Sequence, residues 1–260
     1  MEIKPIIHKP ISIFLIINKE IKKLYFELYE QFPRDLDLFV TDQHGKLRIE
    51  NASRQMASIM RKKPWKKLLN VFDQEVINQL VSKFIPDGRY AAVSINPLLN
   101  IKNKYLKRKI LVTTSYEFST LLNGAQLVPH TDSTNKIITM MMYFPTTEQE
   151  GRDDLGTVFH KFSGNKKDQY ENFNNQHYSA DYYPNFYNDA EDLYRIPFSS
   201  EGIYGFVKGS HSWHSLPPVK LDEGEFRRSL NINVYLFKRS VFSPLYFKNL
   251  MRLKLLILGV

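Results

Sequence analysis

The sequence has no cysteine among its 260 residues. This absence excludes disulfide bonds, thiolate zinc sites, iron–sulfur clusters and a cysteine nucleophile. Any bound metal must therefore be held by His, Asp or Glu side chains. Long apolar runs are also absent: no stretch of about 18 apolar residues without charges occurs, which argues against a transmembrane helix.

The longest apolar run near the start of the chain, residues 10–18, is too short to cross a membrane. It lacks a small-residue cleavage site and is followed directly by lysines, so it does not fit a secretory signal well. A hydrophobic fraction of 43% is ordinary for a folded protein and excludes wholesale disorder. We therefore expect a soluble protein of the cytoplasm.

Positive charge exceeds negative charge, with 36 Lys and Arg against 27 Asp and Glu, a formal net charge of +9. A surplus of this kind suggests nucleic acid or a membrane surface as a partner. The surplus is unevenly placed, however: residues 1–110 carry +10, residues 111–237 carry −6 and residues 238–260 carry +5. Because the middle of the chain is acidic, nucleic acid is disfavoured as the partner of that region.

The first 109 residues are expected to form a helical extension packed on the rest of the protein. Apolar residues recur at helical spacing in residues 19–32, 53–60 and 65–84. The last 23 residues, 238–260, contain a basic amphipathic pattern over residues 242–260, which predicts a C-terminal helix. Packing of that helix on the core is favoured over contact with a membrane or a partner.

Residues 110–237 are expected to form the catalytic core, a β-sandwich or barrel. Short β-rich runs separated by turn residues indicate this architecture. The runs are residues 110–114, 127–130, 137–144, 156–162, 202–207, 212–216 and 229–237. Residues 163–195 break the pattern with six Tyr and six Asn, and we interpret them as an insertion that acts as a lid or substrate loop.

Three short elements carry the chemistry. His130 and Asp132 are two residues apart, so at the end of a strand both side chains lie on one face, close enough to share a metal ion. His214 follows on a later predicted strand. On the next strand, Arg227, Ser229 and Asn231 share one face.

In this order the elements resemble the Fe(II)/2-oxoglutarate-dependent dioxygenases, in particular their prolyl-4-hydroxylase-like branch. Members carry His-x-Asp, a distal His, and then Arg-x-Ser or a variant; the resemblance covers residues 110–237. It implies a double-stranded β-helix, a jelly roll of the cupin type with helices packed on one sheet. It also implies hydroxylation of a small molecule, sugar or peptidyl substrate, with release of succinate and CO₂.

The resemblance assigns a role to each residue. His130, Asp132 and His214 would be the ligands of Fe(II), leaving three coordination positions open to 2-oxoglutarate and O₂. Arg227 would pair with the distal carboxylate of 2-oxoglutarate, helped by Ser229. Tyr143 matches a tyrosine that contacts this carboxylate in some relatives, while Asn231, on the face of Arg227, is a candidate cosubstrate contact. Ascorbate is a candidate reductant.

Neighbouring residues compete for some of these roles. His211 is an alternative to His214 as the distal ligand, but His214 follows Trp213 as in relatives. Arg228 is an alternative to Arg227, yet the Arg-x-Ser phase places Arg228 on the opposite face, where we expect an ion pair. For His160 we favour a packed or hydrogen-bonded histidine over a metal ligand. Gln126 is a further candidate for the pocket.

Two other functions compete with the hydroxylase. The first is a nucleic-acid demethylase of the same superfamily. That branch usually has a second Arg six residues after the cosubstrate Arg, where this chain has Asn233. The second is a β-helix module without enzymatic activity that binds a partner through its basic flanks.

Overall fold

The computed structural model describes most of the chain. The described residues are 1–7, 9–42, 45–49, 53–72, 76–84, 90–92, 110–133, 136–162, 186–209 and 211–237. The lid interpretation for residues 163–185 and the predicted C-terminal helix over residues 242–260 lie outside these ranges. Of the helices within the ranges, none combines the length and the hydropathy needed to cross a membrane.

Strands dominate the described part of the chain. They are β1 (Glu2–Ile7), β2 (Ile13–Ile17), β3 (Val40–Thr41), β4 (Lys46–Ile49), β5 (Tyr90–Ala92), β6 (Ile110–Leu121), β7 (Leu127–His130), β8 (Lys136–Tyr143), β9 (Arg152–Phe162), β10 (Ala190–Phe198), β11 (Ile203–Val207), β12 (His214–Leu216) and β13 (Arg227–Phe237). The helices are α1 (Lys19–Glu30), α2 (Arg54–Met60), α3 (Lys63–Val71), α4 (Ile77–Phe84) and α5 (Phe186–Asp189), with a 3₁₀ turn at Leu36–Leu38.

The strands from β6 to β13 form two facing sheets by nested pairing. β6 pairs with β13 and β8 with β11 in the large sheet, whereas β7 pairs with β12 and β9 with β10 in the small sheet. All four pairings are antiparallel, first strand with last and so on inward. A long hairpin rolled up in this way is a jelly roll, which confirms the predicted double-stranded β-helix.

One face of the large sheet packs on the helices and the other turns towards the small sheet. Along β13, Leu230, Ile232 and Val234 are fully buried in a core shared with the helices. The intervening residues point the other way, into the space between the sheets. Strand alternation therefore gives the sheet one face that packs on the helices and one face that contributes both buried apolar side chains, such as Phe206, and the polar residues that line the cavity.

The helices cover the apolar face of the large sheet, as expected from their spacing. In α1, Ile21, Leu24 and Leu28 are buried, and the helix begins where the Asn18 side chain accepts hydrogen bonds from the next turn. Trp65 of α3 is fully buried. Each large apolar side chain buried in this way stabilises the fold by about 1.5–3 kcal/mol.

The expectation of a purely helical region before residue 110 is too simple. Strands β1 to β5 all lie there, and four of them extend the large sheet along its edges. β2 is an apolar run between β1 and β11, and a short apolar run does not distinguish a buried strand from a helix by its period. The predicted helix over residues 65–84 is described as two helices, α3 and α4, with residues 73–75 undescribed between them.

The insertion also contains a strand that sequence patterning missed. β10 begins at Ala190, inside the segment expected to be a lid, and pairs with β9 at the edge of the small sheet. Glu191 and Asp192 at its start are exposed, so the segment does not show the apolar run of a buried strand. The central strand β8 behaves as predicted, since its residues from Ile138 to Tyr143 are all buried.

Candidate functional site

Two neighbouring strands of the small sheet bring the histidines together. His214 of β12 lies directly opposite His130 of β7 in the strand register, and their ring centroids are 4.3 Å apart. Asp132 follows two residues after His130, just beyond the end of β7. One ligand atom from each of the three side chains falls within 4.8 Å of the others. The structure thus gathers residues that lie 84 positions apart in the sequence.

Backbone carbonyls orient both imidazole rings in the same way. His130 Nδ1 lies 2.8 Å from the carbonyl oxygen of Val128. His214 Nδ1 lies 2.9 Å from that of Ser212. A carbonyl only accepts, so Nδ1 is the protonated nitrogen in each ring and Nε2 carries the lone pair that can bind a metal.

The imidazole of His130 is held in its neutral form. Burial lowers its pKa to about 3, the nearby His214 adds to the effect, and Asp132 opposes it. A metal-binding imidazole must be neutral, so His130 has no proton to lose at physiological pH.

The carboxylate of Asp132 is buried, and each of its two oxygens accepts a hydrogen bond. Lys136 Nζ lies 2.6 Å from Oδ1, and the Thr139 hydroxyl donates to Oδ2 at 2.5 Å. Burial by itself would raise the pKa of Asp132, but Lys136 and the two imidazoles outweigh it and hold the pKa below the usual range. Asp132 is therefore ionised when the site is ready to take a cation.

These three side chains fit a divalent transition metal. Two neutral imidazoles and one carboxylate on one side of an ion form the facial arrangement typical of non-haem Fe(II) oxygenases, with positions left open. The hydrogen bonds from Nδ1 to carbonyls are the support that metal-binding histidines usually have. Sequence reasoning missed Lys136 and Thr139, whose only signal is their position shortly after the His-x-Asp motif.

Arg227 is a buried cation at the start of β13. It is only 4% exposed, and its Nε donates to the carbonyl oxygen of Leu155 at 2.6 Å. The guanidinium carbon lies 5.0 Å from the ring centre of Tyr143 and 5.1 Å from that of Phe198. Within the described ranges no carboxylate forms an ion pair with it. Burial lowers the pKa of Arg227 while Tyr143 opposes the shift, and arginine stays charged in proteins regardless.

Tyr143 packs directly against the guanidinium of Arg227. The tyrosine is fully buried, and its hydroxyl shares a 2.9 Å hydrogen bond with Thr157. It is absent from the described residues that line the main cavity. The ring of Tyr143 thus forms a platform under the guanidinium of Arg227, and its contact with the cosubstrate stays a prediction.

A tight crossing of β9 and β10 builds the rest of this platform. A side chain at Gly156 would collide with the backbone carbonyl of Ile196, so only glycine allows the two strands to approach this closely. The residues on either side of Gly156 then reach inward: the Leu155 carbonyl binds Arg227, and Thr157 binds Tyr143. Sequence reasoning missed the role of Leu155, because a backbone carbonyl leaves no side-chain signal.

One cavity of about 700 Å³ joins the metal-binding residues to Arg227. Its described lining includes His130, Asp132, His214, Arg227, Ser229 and Asn231, six of the seven predicted site residues. The Asn231 amide donates to Glu117 at 3.1 Å, and Glu117 pairs with Lys46 at 2.5 Å. Asn231 therefore belongs to a polar network on the wall of the cavity.

The competing residues lie elsewhere. His214, not His211, completes the three-residue cluster. Arg228 lies over the ring of Phe226 at 5.1 Å. The ion pair expected for it is not found among the described residues.

Gln126 lines a separate cavity of about 270 Å³. His160 lines the same separate cavity and hydrogen bonds to Ser215 at 2.7 Å, the packed role expected for it.

Comparisons with known proteins return similar structures but no related sequences. No family model matches the chain, and no curated protein matches it. The α-ketoglutarate-dependent epimerase SnoN of nogalamycin biosynthesis is 9% identical, with a TM-score of 0.47, over 84% of this chain and 75% of its own. HygX from Streptomyces hygroscopicus, solved with nickel and 2-oxoglutarate, is 9% identical, with a TM-score of 0.45, over 86% and 82%.

A prolyl-4-hydroxylase from Pseudomonas putida is similar at 12% identity and a TM-score of 0.38, over 86% of this chain and 89% of its own. At such identities and TM-scores, the fold assignment depends on the strand pairing described above.

Proposed function

We propose that the protein is an Fe(II)/2-oxoglutarate-dependent oxygenase. His130, Asp132 and His214 would hold the iron, and Arg227 would bind the distal carboxylate of 2-oxoglutarate. One observation carries the proposal: a buried arginine without a carboxylate partner in the described structure opens on the same cavity as a facial cluster of two histidines and an aspartate. A buried cation is costly without an anion, and a dicarboxylate ligand would supply one.

The residues of the chain bind and orient the reactants. Iron would supply oxygen activation coupled to oxidative decarboxylation of 2-oxoglutarate, giving succinate, CO₂ and a hydroxylated product. Arg227 presents a planar fork that matches a carboxylate and stays charged. Ser229, two residues further along β13, lines the cavity beside it and offers a hydroxyl to the same ligand. The neutral imidazole of His130 and the ionised Asp132 would bind the metal without releasing a proton.

The remaining cavity wall favours a polar small molecule as substrate. Its described lining away from the metal includes Lys46, Glu117 and Asn231, which already form a hydrogen-bonded row. A wall of paired donors and acceptors suits a substrate with several hydroxyl, amine or amide groups, such as a sugar or a peptidyl group. Asn233 also lines the cavity, and its neutral side chain offers no charge to a nucleic-acid phosphate.

Anaerobic addition of Fe(II) and 2-oxoglutarate tests the proposal. We expect the visible charge-transfer band of an iron–oxo-acid chelate, and His130→Ala should abolish it because one of three ligands is lost. His211→Ala is the matched control, since His211 lies three residues before His214 and outside the cluster; it should retain the band. A band that survives His130→Ala would overturn the site assignment. A wild-type protein that binds neither iron nor 2-oxoglutarate would instead favour the non-enzymatic module.

A further inference from the structure

The Asp132 carboxylate has a cation bound to it before any metal is considered. Lys136 follows Asp132 by four residues, beyond the end of β7, and its ammonium lies 2.6 Å from Oδ1. Both groups are withdrawn from solvent, with side-chain exposures of 15% for Lys136 and 7% for Asp132. Lys136 also lines the main cavity together with the three metal-binding residues. The ammonium is therefore bonded to one of the two carboxylate oxygens that a divalent ion could use.

We propose that Lys136 is a positioning residue that stands in for the metal ion in the metal-free protein and so sets the affinity of the site for divalent ions. This inference rests on the proposed function, because it assumes that Asp132 is a metal ligand. The positive charge of Lys136 and its direct bond to Asp132 would produce the effect. The oxygen that Lys136 binds is one of only two that Asp132 can offer to a metal, and Thr139 holds the other.

The charge of Lys136 has two consequences for Asp132. Without a metal and without Lys136, the buried carboxylate of Asp132 would be an unpaired negative charge, and such charges are strongly destabilising. Lys136 removes that penalty. When a divalent ion arrives, the same ammonium competes for Oδ1 and repels the ion, since like charges a few ångströms apart interact unfavourably even near water.

The two effects have opposite signs, which makes the role testable. Lys136→Met should lower the melting temperature of the metal-free protein by several degrees, because Asp132 loses its partner. The same change should tighten binding of Co(II), used as an air-stable probe for Fe(II), by about tenfold, because the competing cation is gone. If Lys136 only stabilised the fold, its replacement would lower both the melting temperature and the affinity for Co(II).

Isothermal titration with Co(II) at pH 7.5 and thermal unfolding with and without Co(II) measure both effects on the full chain. Lys136→Gln serves as a second variant, since glutamine keeps a donor for Asp132 but carries no charge; it should fold close to wild type and still bind Co(II) more tightly. Lys208→Met is the matched control. Lys208 interacts with Asp132 only through space and is not among the described lining residues, so its removal should change the Co(II) affinity much less.

Each outcome decides the proposal. Tighter Co(II) binding in the Lys136 variants than in the wild type and the Lys208 variant would support it. Co(II) binding in Lys136→Gln that equals or falls below that of the wild type would overturn it while leaving the proposed oxygenase intact. A wild-type protein that binds no Co(II) would overturn both, and 2-oxoglutarate binding would then have to be explained without a metal.

Discussion

The cavity has two charged ends, and only one of them is neutralised by the protein. At the metal end, the buried carboxylate of Asp132 is paired with Lys136 and Thr139. At the other end, the buried guanidinium of Arg227 has a backbone carbonyl and two aromatic rings around it, but no carboxylate among the described residues. The charge of Asp132 is thus balanced within the protein, whereas the charge of Arg227 has no anionic partner among the described residues.

This difference assigns the ends to ligands of different kinds. An end that already carries a matched ion pair must exchange a partner when a cation binds, so its affinity is tuned by competition. An end with an unmatched buried cation gains its counter-ion from outside, so binding of a dianion there removes a penalty instead of displacing a partner. The comparison predicts that a change at the Arg227 end leaves metal binding at the other end largely intact.

The largest expected effect is at the Arg227 end. Arg227→Met should weaken 2-oxoglutarate binding by about 30-fold or more, because truncating one side of a buried charge pair costs about 2–5 kcal/mol. Co(II) binding should be nearly unchanged, since the metal ligands lie on other strands. The melting temperature should fall little, because the substitution also removes an unpaired buried charge. Titration calorimetry with each ligand separately measures the two affinities.

Arg228→Met is the control for this experiment. Arg228 is the next residue in β13 but faces away, over the ring of Phe226, so its loss should leave 2-oxoglutarate affinity within about twofold of wild type, as for surface changes in general. The asymmetry of the two ends would be contradicted if Arg227→Met weakened Co(II) binding as strongly as 2-oxoglutarate binding, or if Arg228→Met had the larger effect.

Lowering the pH should destabilise the folded protein through its buried histidines, of which His130 lies at the metal end of the cavity, and not through Arg227. Burial lowers the pKa of His130 to about 3, against 6.5 for a free histidine, so the unfolded chain takes up a proton before the folded protein does. The stability that His130 contributes is fully present above about pH 6.5 and is lost as the pH falls towards 3, by up to about 1.4 kcal/mol per pH unit. His160, with a pKa lowered by burial to about 4, acts in the same direction.

Urea unfolding of the metal-free protein at pH 7.5, 6.5, 5.5 and 4.5 checks this expectation. The free energy of unfolding should fall with decreasing pH, and His130→Gln should reduce the slope because one of the two titrating groups is removed. Equal slopes for the wild type and the His130 variant would show that His130 is not held neutral by its surroundings.

Sequence reasoning found individual strands and helices because their signals are local. The apolar run of β8 and the helical spacing of α1 predict elements that the structure contains. It missed β2 and β10, because a short buried run has no diagnostic period and an edge strand with exposed charges has no apolar run. The nested pairing that makes a jelly roll is non-local and came only with the family resemblance.

At the site, sequence reasoning found groups that act through their side chains in a recognisable order. His130, Asp132, His214 and Arg227 all line the cavity. The supporting groups could not be found in this way. Lys136, at the start of β8, bonds Asp132, and the Leu155 carbonyl of β9 binds Arg227 of β13, so neither contact has a recognisable sequence pattern.

The smallest expected effect tests how far the Arg227 end depends on its platform. Thr157 shares a 2.9 Å hydrogen bond with the Tyr143 hydroxyl, and the Tyr143 ring lies 5.0 Å from the guanidinium carbon. Thr157→Val keeps the volume but removes that bond, so the buried hydroxyl loses a partner and the ring is held less firmly. We expect 2-oxoglutarate affinity to fall by about threefold to fivefold, with Co(II) affinity unchanged, as measured by the same titrations.

Thr157 also lines the cavity, so a direct bond to the ligand is the competing explanation. Tyr143→Phe separates the two, because it removes the same hydrogen bond from the other side: an equal loss in both variants indicates support through Tyr143, and a loss confined to Thr157→Val indicates a direct contact and would refute the platform role.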